Sequence, residues 1–127
     1  MTQIKEVYKC NICGNIVEVL HNGNGQLVCC GEPMERQVEK YSEEGKEKHV
    51  PVIEKNNGIV RILIGKEIHP MEESHYIEWI EVISKNKSFK KFLRPGDVPQ
   101  FDLDIDFGED LFIRSYCNIH GLWKSKI

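Results

Sequence analysis

Cys117 and His120 are two metal-ligating residues that lie three positions apart near the end of the chain. Both side chains can face one ion if the backbone turns between them, and Gly121 tolerates the positive φ of such a turn. Three further imidazoles are available upstream, at His49, His69 and His75. Four nitrogens and one sulfur exceed the four ligands of a structural zinc site. The set therefore predicts a five-coordinate metal with an open sixth position.

Copper is the alternative metal on ligand type, because blue-copper sites also combine histidine and cysteine on a β-sandwich. Those sites use fewer imidazoles and usually a methionine. Met71 is near His69 in the sequence, so it is the methionine that such a site would use.

The other four cysteines form two pairs within the first thirty residues, Cys10 with Cys13 and Cys29 with Cys30. Four thiolates bind zinc or a single iron, and the spacing does not choose between these metals. Adjacent cysteines reach one ion only if the backbone bends, which predicts a distorted tetrahedron. We expect residues 16–20 and 26–28 to be strands of one hairpin that brings the two pairs together.

The segments after Pro51 predict the fold that must position the histidines. Apolar and β-branched stretches alternate with turn residues, and Asn57–Gly58 is a strong signal for a two-residue hairpin. Residues 101–107 alternate apolar side chains with aspartates, which is typical of a half-buried strand with a solvated face. About seven short strands without a helical period predict an immunoglobulin-like antiparallel β-sandwich, and the whole chain is predicted to be all-β.

A polar segment over residues 37–45 predicts the boundary between two domains. We place a small four-cysteine domain of rubredoxin type at residues 1–37 and the sandwich domain at residues 38–127. The first domain is small for independent stability, so it is expected to dock on the second domain or on a second copy of the chain. A homodimer is the predicted assembly.

Composition excludes several classes of function. The chain has 127 residues, of which 40% are hydrophobic, and no run of eighteen apolar residues that would predict a membrane span. A net charge of −3 gives no electrostatic footprint for nucleic acid. The N-terminus lacks an apolar core of secretory type, so we expect a cytoplasmic protein. In that reducing compartment, clustered cysteines are more plausible as metal ligands than as disulfides.

Several spaced motifs resemble the desulfoferrodoxin type of superoxide reductase. They are Glu-Lys-His-Val-Pro at 47–51, His-Pro-Met-Glu-Glu-x-His-Tyr-Ile-x-Trp-Ile at 69–80 and Tyr-Cys-Asn-Ile-His-Gly-x-Trp-Lys at 116–124. The front cysteine pairs resemble the desulforedoxin-like domain of the same family. The resemblance covers essentially the whole chain, in the same order.

The resemblance implies two mononuclear iron ions per chain. Cys10, Cys13, Cys29 and Cys30 would hold the first. The second would have four equatorial imidazoles and an axial sulfur, from His49, His69, His75, His120 and Cys117. Glu47 corresponds to a family glutamate that ligates the oxidised iron and moves away on reduction, and Lys48 to the family's cation beside the open position. Without the family, both would be interpreted as solvated charges.

The implied function is the one-electron reduction of superoxide to hydrogen peroxide, with an external donor such as rubredoxin. Because superoxide is an anion, the Lys48 ammonium would attract it. We also expect the backbone N–H groups of Ile119 and His120 to face the Cys117 sulfur and tune its iron. Two alternatives remain, a rubredoxin-like electron carrier and a structural module with zinc in both sites.

Overall fold

The structure is a computed structural model that describes residues 1–41, 51–65, 69–104 and 111–126. These residues form β-strands and contain no helix, which confirms the all-β prediction for the described part of the chain. Accordingly, none of the described segments is a helix long and apolar enough to cross a membrane. The chain divides into two compact units, Met1–Val38 and Glu39–Ile127.

The first unit contains five short strands. They are β1 (Val7–Lys9), β2 (Ile16–Glu18), β3 (Val28–Cys29), β4 (Glu32–Pro33) and β5 (Glu35–Arg36). Strand β1 is the centre of a three-stranded antiparallel sheet with β2 and β5 at its edges, and β3 pairs with β4 in a separate hairpin.

The expected hairpin between residues 16–20 and 26–28 is wrong, because β2 pairs with β1 and β3 pairs with β4. The reason lies in the turn between β3 and β4. Cys30 and Gly31 both have positive φ, +54° and +77°, as a two-residue turn that matches the twist of a hairpin requires. Strand β3 therefore pairs with β4, which directly follows it, and two separate turns bring the cysteine pairs together.

The second unit contains seven strands in the residues described. They are β6 (Pro51–Asn56), β7 (Ile59–Ile64), β8 (Ile77–Ser84), β9 (Lys87–Phe92), β10 (Gln100–Leu103), β11 (Phe112–Cys117) and β12 (Gly121–Lys126). One sheet has the order β10-β7-β6 and the other the order β12-β11-β8-β9, and every pair is antiparallel. The predicted β-sandwich is confirmed. The Asn57–Gly58 turn joins β6 to β7 with positive φ at both residues.

The core of the second unit lies between its two sheets. Strand β7 buries alternate residues, Val60, Ile62 and Ile64, against Ile80 and Val82 of β8 and their neighbours. Each fully buried aliphatic side chain of this kind contributes roughly 1.5–3 kcal/mol through removal of apolar surface from water. Strand β10 follows the expected alternation as far as Leu103, and residues 105–107 lie outside the described residues.

The other face of β8 is also buried, but by aromatic and charged side chains. Trp79 stacks on Tyr116 of β11 with ring centroids 4.6 Å apart. Glu81 accepts hydrogen bonds from Arg114 at 2.7 and 2.8 Å, and both side chains are 1% exposed. These cross-strand pairs join β8 to β11, the two strands beside the metal-ligating segments.

Candidate metal centres

The first group of clustered ligands lies in the small unit and consists of thiols alone. The Sγ atoms of Cys10, Cys13, Cys29 and Cys30 all lie within 4.8 Å of one another. Two turns position them, the Cys10–Gly14 knuckle and the turn at Cys30 and Gly31. In the knuckle, the N–H of Gly14 donates to the carbonyl oxygen of Cys10 at 3.0 Å, and Gly14 has φ +87°.

Hydrogen bonds from the backbone and between the thiols shift the pKa values of these cysteines in opposite directions. The N–H of Cys13, which donates to the Cys10 sulfur at 3.4 Å, lowers the pKa of Cys10 to about 6. Hydrogen bonding with Cys13 and Cys10 raises the pKa of Cys30 to about 12. The four thiols therefore do not ionise together without a cation between them. A metal ion supplies that charge and releases the protons, so the donor set fits a metal.

The second group lies in the sandwich and combines three imidazoles with one thiol. Its ligand atoms also lie within 4.8 Å of one another, and they belong to His69, His75, Cys117 and His120. The His75 ring meets the rings of His69 and His120 edge-on, with centroids 4.8 and 5.0 Å away. His69 and Cys117 are buried, whereas His120 is exposed, so the group reaches from the core to the surface.

The buried imidazole nitrogens fit a metal. The carbonyl oxygen of Pro70 accepts a hydrogen bond from Nδ1 of His69 at 2.7 Å, which fixes the tautomer with the lone pair on Nε2. Nε2 of His75 is buried and has no hydrogen-bond partner among the residues that the structure describes. A buried polar atom without a partner costs free energy, and a coordinated ion removes that cost. The two nitrogens are therefore suited to ligation.

A bulge and a tight hairpin turn position Cys117. Strand β11 pairs with β8 in regular register up to Tyr116, and a shift of register then places Cys117 opposite Ile77. Such bulges redirect one side chain without ending the pairing. Gly121, with φ +82°, pairs with Cys117 and closes the loop that carries His120.

Backbone N–H groups face the Cys117 sulfur, as the sequence predicted. The N–H of His120 donates to Sγ at 3.5 Å, and that of Ile119 also acts on the thiol. Burial raises the pKa of Cys117, while these two N–H groups and the Lys40 ammonium act in the opposite direction. The prediction is confirmed for the N–H of His120. Donors of this kind stabilise the thiolate form that a metal requires.

Asn118 connects the two ligand-bearing segments, and sequence reasoning missed it. Its Oδ1 accepts from the N–H of Tyr76 at 2.9 Å, and its Nδ2 donates to the carbonyl oxygen of Ser74 at 3.1 Å. These two bonds flank His75. Asparagine is a common residue for local backbone contacts in turns, and here its partners are 42 and 44 positions away, which no local pattern predicts.

Three residues of the predicted site, Glu47, Lys48 and His49, lie outside the described residues. The other predicted ligands are brought together in the two groups above. Met71 does not join them, because its sulfur accepts a hydrogen bond from the N–H of Ile77 at 3.4 Å and the side chain packs on the hydrophobic core. This placement disfavours the copper alternative.

Two sequence families match the chain. The family described as "Desulfoferrodoxin, N-terminal domain" matches residues 2–36, and the family "Desulfoferrodoxin" matches residues 41–126. The chain belongs to the desulfoferrodoxin family. A desulfoferrodoxin homologue of Archaeoglobus fulgidus is 54% identical over 125 residues, which cover 98% of this chain and 99% of the relative.

Two proteins named superoxide reductases are also similar to this chain. The one from Pyrococcus abyssi is 35% identical over 99 residues, which cover 64% of this chain and 86% of the relative. The crystal structure of the one from Treponema pallidum has a TM-score of 0.74, covering 95% of this chain and 96% of that one. At 22% identity, this second likeness supports the fold alone.

The two ligand groups match the two iron centres of a desulfoferrodoxin, so the chain takes two mononuclear iron ions. The four-cysteine group corresponds to the first. The histidine–cysteine group corresponds to the second, with His49 outside the described residues.

Proposed function

We propose that this protein is a superoxide reductase and that the histidine–cysteine group is its catalytic centre. The observation that carries the proposal is the convergence of His69, His75, His120 and Cys117 within 4.8 Å in the larger unit. The likeness to the Pyrococcus abyssi superoxide reductase supports it.

The reaction adds one electron and two protons to superoxide and yields hydrogen peroxide. Ferrous iron, when bound, would supply the electron, and a thiolate ligand would raise the electron density at the metal. The chain's part is to hold the ligands. We propose five of them for this centre, namely His49, His69, His75, His120 and Cys117.

The segment before His49 supplies two further roles in this proposal. Lys48 carries an ammonium that attracts the superoxide anion and delivers protons through water. Glu47 supplies a carboxylate ligand to the oxidised centre. Both roles rest on the position of these residues in the Glu-Lys-His-Val-Pro motif.

The four-cysteine group has a separate role in our proposal. Residues 1–37 form a desulforedoxin-like domain that holds its iron with Cys10, Cys13, Cys29 and Cys30, and residues 38–127 form the superoxide reductase domain. Cys13 and Cys30 are exposed, which favours electron exchange with a donor such as rubredoxin.

Location and assembly complete the proposal. None of the five cysteines forms a disulfide, which suits a reducing cytoplasm. We propose a homodimer through the small unit, since that unit leaves Leu20 81% exposed and Val28 56% exposed. Pairing of such side chains removes apolar surface from water.

A stopped-flow experiment distinguishes a superoxide reductase from an electron carrier. The carrier is the second candidate function, because two cysteines of the four-cysteine group are exposed. Superoxide is mixed with the anaerobically reduced protein, and hydrogen peroxide and dioxygen are both measured. A superoxide reductase consumes superoxide rapidly and forms peroxide without dioxygen. Slow consumption would contradict the proposal and support the carrier. Metal analysis of protein purified anaerobically addresses the zinc alternative, which predicts no iron.

A further inference from the structure

Lys40 is fixed beside the hairpin that carries Cys117 and His120. Its N–H donates to the carbonyl oxygen of Leu122 at 2.8 Å, and its own carbonyl oxygen accepts from the N–H of Lys124 at 2.8 Å. This bridge lies alongside Trp123, in the middle of strand β12. The backbone of residue 40 is therefore held in place before its side chain makes any contact.

The side chain of Lys40 then reaches the hairpin turn itself. Its ammonium nitrogen donates to the carbonyl oxygen of His120 at 2.7 Å and lies 5.6 Å from the centre of the Trp123 ring. The same residue, His120, donates its own N–H to the Cys117 sulfur. The Lys40 ammonium thus contacts the carbonyl oxygen of His120, and the N–H of the same residue contacts the Cys117 thiol.

A charge in this position acts on the electron affinity of the centre. Reduction adds one negative charge to the centre, so a nearby cation stabilises the reduced state more than the oxidised state. We propose that Lys40 is a positioning residue that raises the reduction potential of the histidine–cysteine centre through its contact with the His120 carbonyl. The inference rests on the proposed function of that centre and adds a residue outside the Glu-Lys-His-Val-Pro motif.

Redox titration of the iron-loaded, full-length protein tests the inference. The thiolate-to-iron absorption of each centre is followed separately. Lys40→Met removes the charge at similar length and should lower the midpoint potential of the histidine–cysteine centre. Lys40→Arg keeps the charge and the donor and should retain the wild-type value. The potential of the four-cysteine centre is recorded in the same titration.

Lys91 provides a matched control. It is also exposed, and its ammonium donates to a backbone carbonyl oxygen, that of Gln100, at 2.9 Å. It lies on β9, at the opposite edge of the same sheet from β12. Lys91→Met should therefore leave the potential of the histidine–cysteine centre unchanged.

Ionic strength separates a charge effect from a structural one. Lys40 is exposed, and salt screens exposed charges over a Debye length of about 10 Å at 0.1 M. The difference in potential between wild type and Lys40→Met should shrink as salt increases. The wild-type potential should itself decrease as salt increases, and this decrease can be measured even if Lys40→Met takes up iron poorly.

An unchanged potential in Lys40→Met, or an equal decrease in Lys91→Met, would overturn the inference. So would a decrease in Lys40→Arg equal to that in Lys40→Met, because the charge would then not be the cause. The wild-type reaction with superoxide is measured separately. If it is fast while Lys40→Met has the wild-type potential, the inference fails and the proposed function stands.

Discussion

The four-cysteine group and the histidine–cysteine group differ in how the chain assembles them. The first takes its ligands from two tight turns between Cys10 and Cys30, and two of its four thiols are exposed. The second joins the segment around His69 and His75 to the hairpin after Cys117, and both segments are held by the pairing of β8 with β11. Local turns suffice for a group of thiols, whereas the mixed group depends on the sandwich.

This difference suits the two proposed roles. Exposed thiolate ligands favour electron exchange with a partner at the surface. A thiol at 0% exposure, such as Cys117, is kept from solvent and from oxidation, whereas His120 of the same group lies at the surface. The larger unit therefore combines a protected sulfur with an accessible histidine.

Removal of one thiol from each group should have the largest effect. Cys117→Ser should abolish the iron of the histidine–cysteine group and the reaction with superoxide, and leave the four-cysteine iron in place. Cys13→Ser should abolish the iron of the four-cysteine group and leave the iron of the histidine–cysteine group in place, because the ligands of the two groups lie in separate units. Iron content and the absorption of each centre provide the measurement. Loss of both irons from either variant would contradict the independence of the groups.

The next largest effect is expected from the buried charge pair behind the second group. Arg114→Met leaves the carboxylate of Glu81 without its main partner, and breaking a buried pair typically costs about 3–5 kcal/mol. The free energy of unfolding of the larger unit should fall by this order, as measured by denaturant titration. The histidine–cysteine iron should be lost at lower denaturant than in wild type.

The double variant E81Q/R114M is the control for that measurement, because it removes the uncompensated charge. It should recover part of the lost stability. If Arg114→Met also shifted the loss of the four-cysteine iron, the sandwich would not be the specific support of the second group.

Substitution of Asn118 should have a smaller effect. Asn118→Ala removes two hydrogen bonds that hold the backbone on both sides of His75, each worth about 0.5–1.5 kcal/mol. We expect weaker retention of iron by the histidine–cysteine group under a chelator. Asn118→Asp keeps the acceptor for the N–H of Tyr76 but loses the donor to Ser74, so its effect should be intermediate. Equal retention in all three proteins would argue against this clamp.

The smallest effect is expected at the exposed surface of the sheet formed by β10, β7 and β6. Asp102 pairs with Arg61 at 3.1 Å, and both side chains are at least 40% exposed. Asp102→Asn should lower the free energy of unfolding by only about 0.2–1 kcal/mol, as exposed pairs usually do. Iron content and the rate of the superoxide reaction should match wild type, and a change in either would contradict the assignment of this face as solvated.

Much of this architecture could be predicted from the sequence because the signals are local. Alternation of apolar residues predicted the strands of the sandwich, and Asn57–Gly58 predicted one of its turns. The Cys30–Gly31 turn carries a weaker signal. Gly31 adopts positive φ readily, but a cysteine at +54° is not a common turn residue, so the sequence does not predict the hairpin of β3 and β4.

The remaining features depend on pairing between distant strands. The bulge at Tyr116 and Cys117 exists because of the register between β11 and β8, which no short window of sequence contains. The contacts of Asn118 with Ser74 and Tyr76, and of Lys40 with His120, likewise join residues far apart in the chain. Periodicity identifies which residues are buried, but these contacts require the folded arrangement.

One measurement tests the central claim most directly, the division of roles between the two groups. Superoxide is generated by a pulse in a solution of the fully reduced protein, and the absorption of each iron centre is recorded with the yield of hydrogen peroxide. Our account predicts rapid second-order oxidation of the histidine–cysteine centre, one peroxide per superoxide, and a four-cysteine centre that stays reduced during that phase. Initial oxidation of the four-cysteine centre, or consumption of superoxide without peroxide, would contradict it.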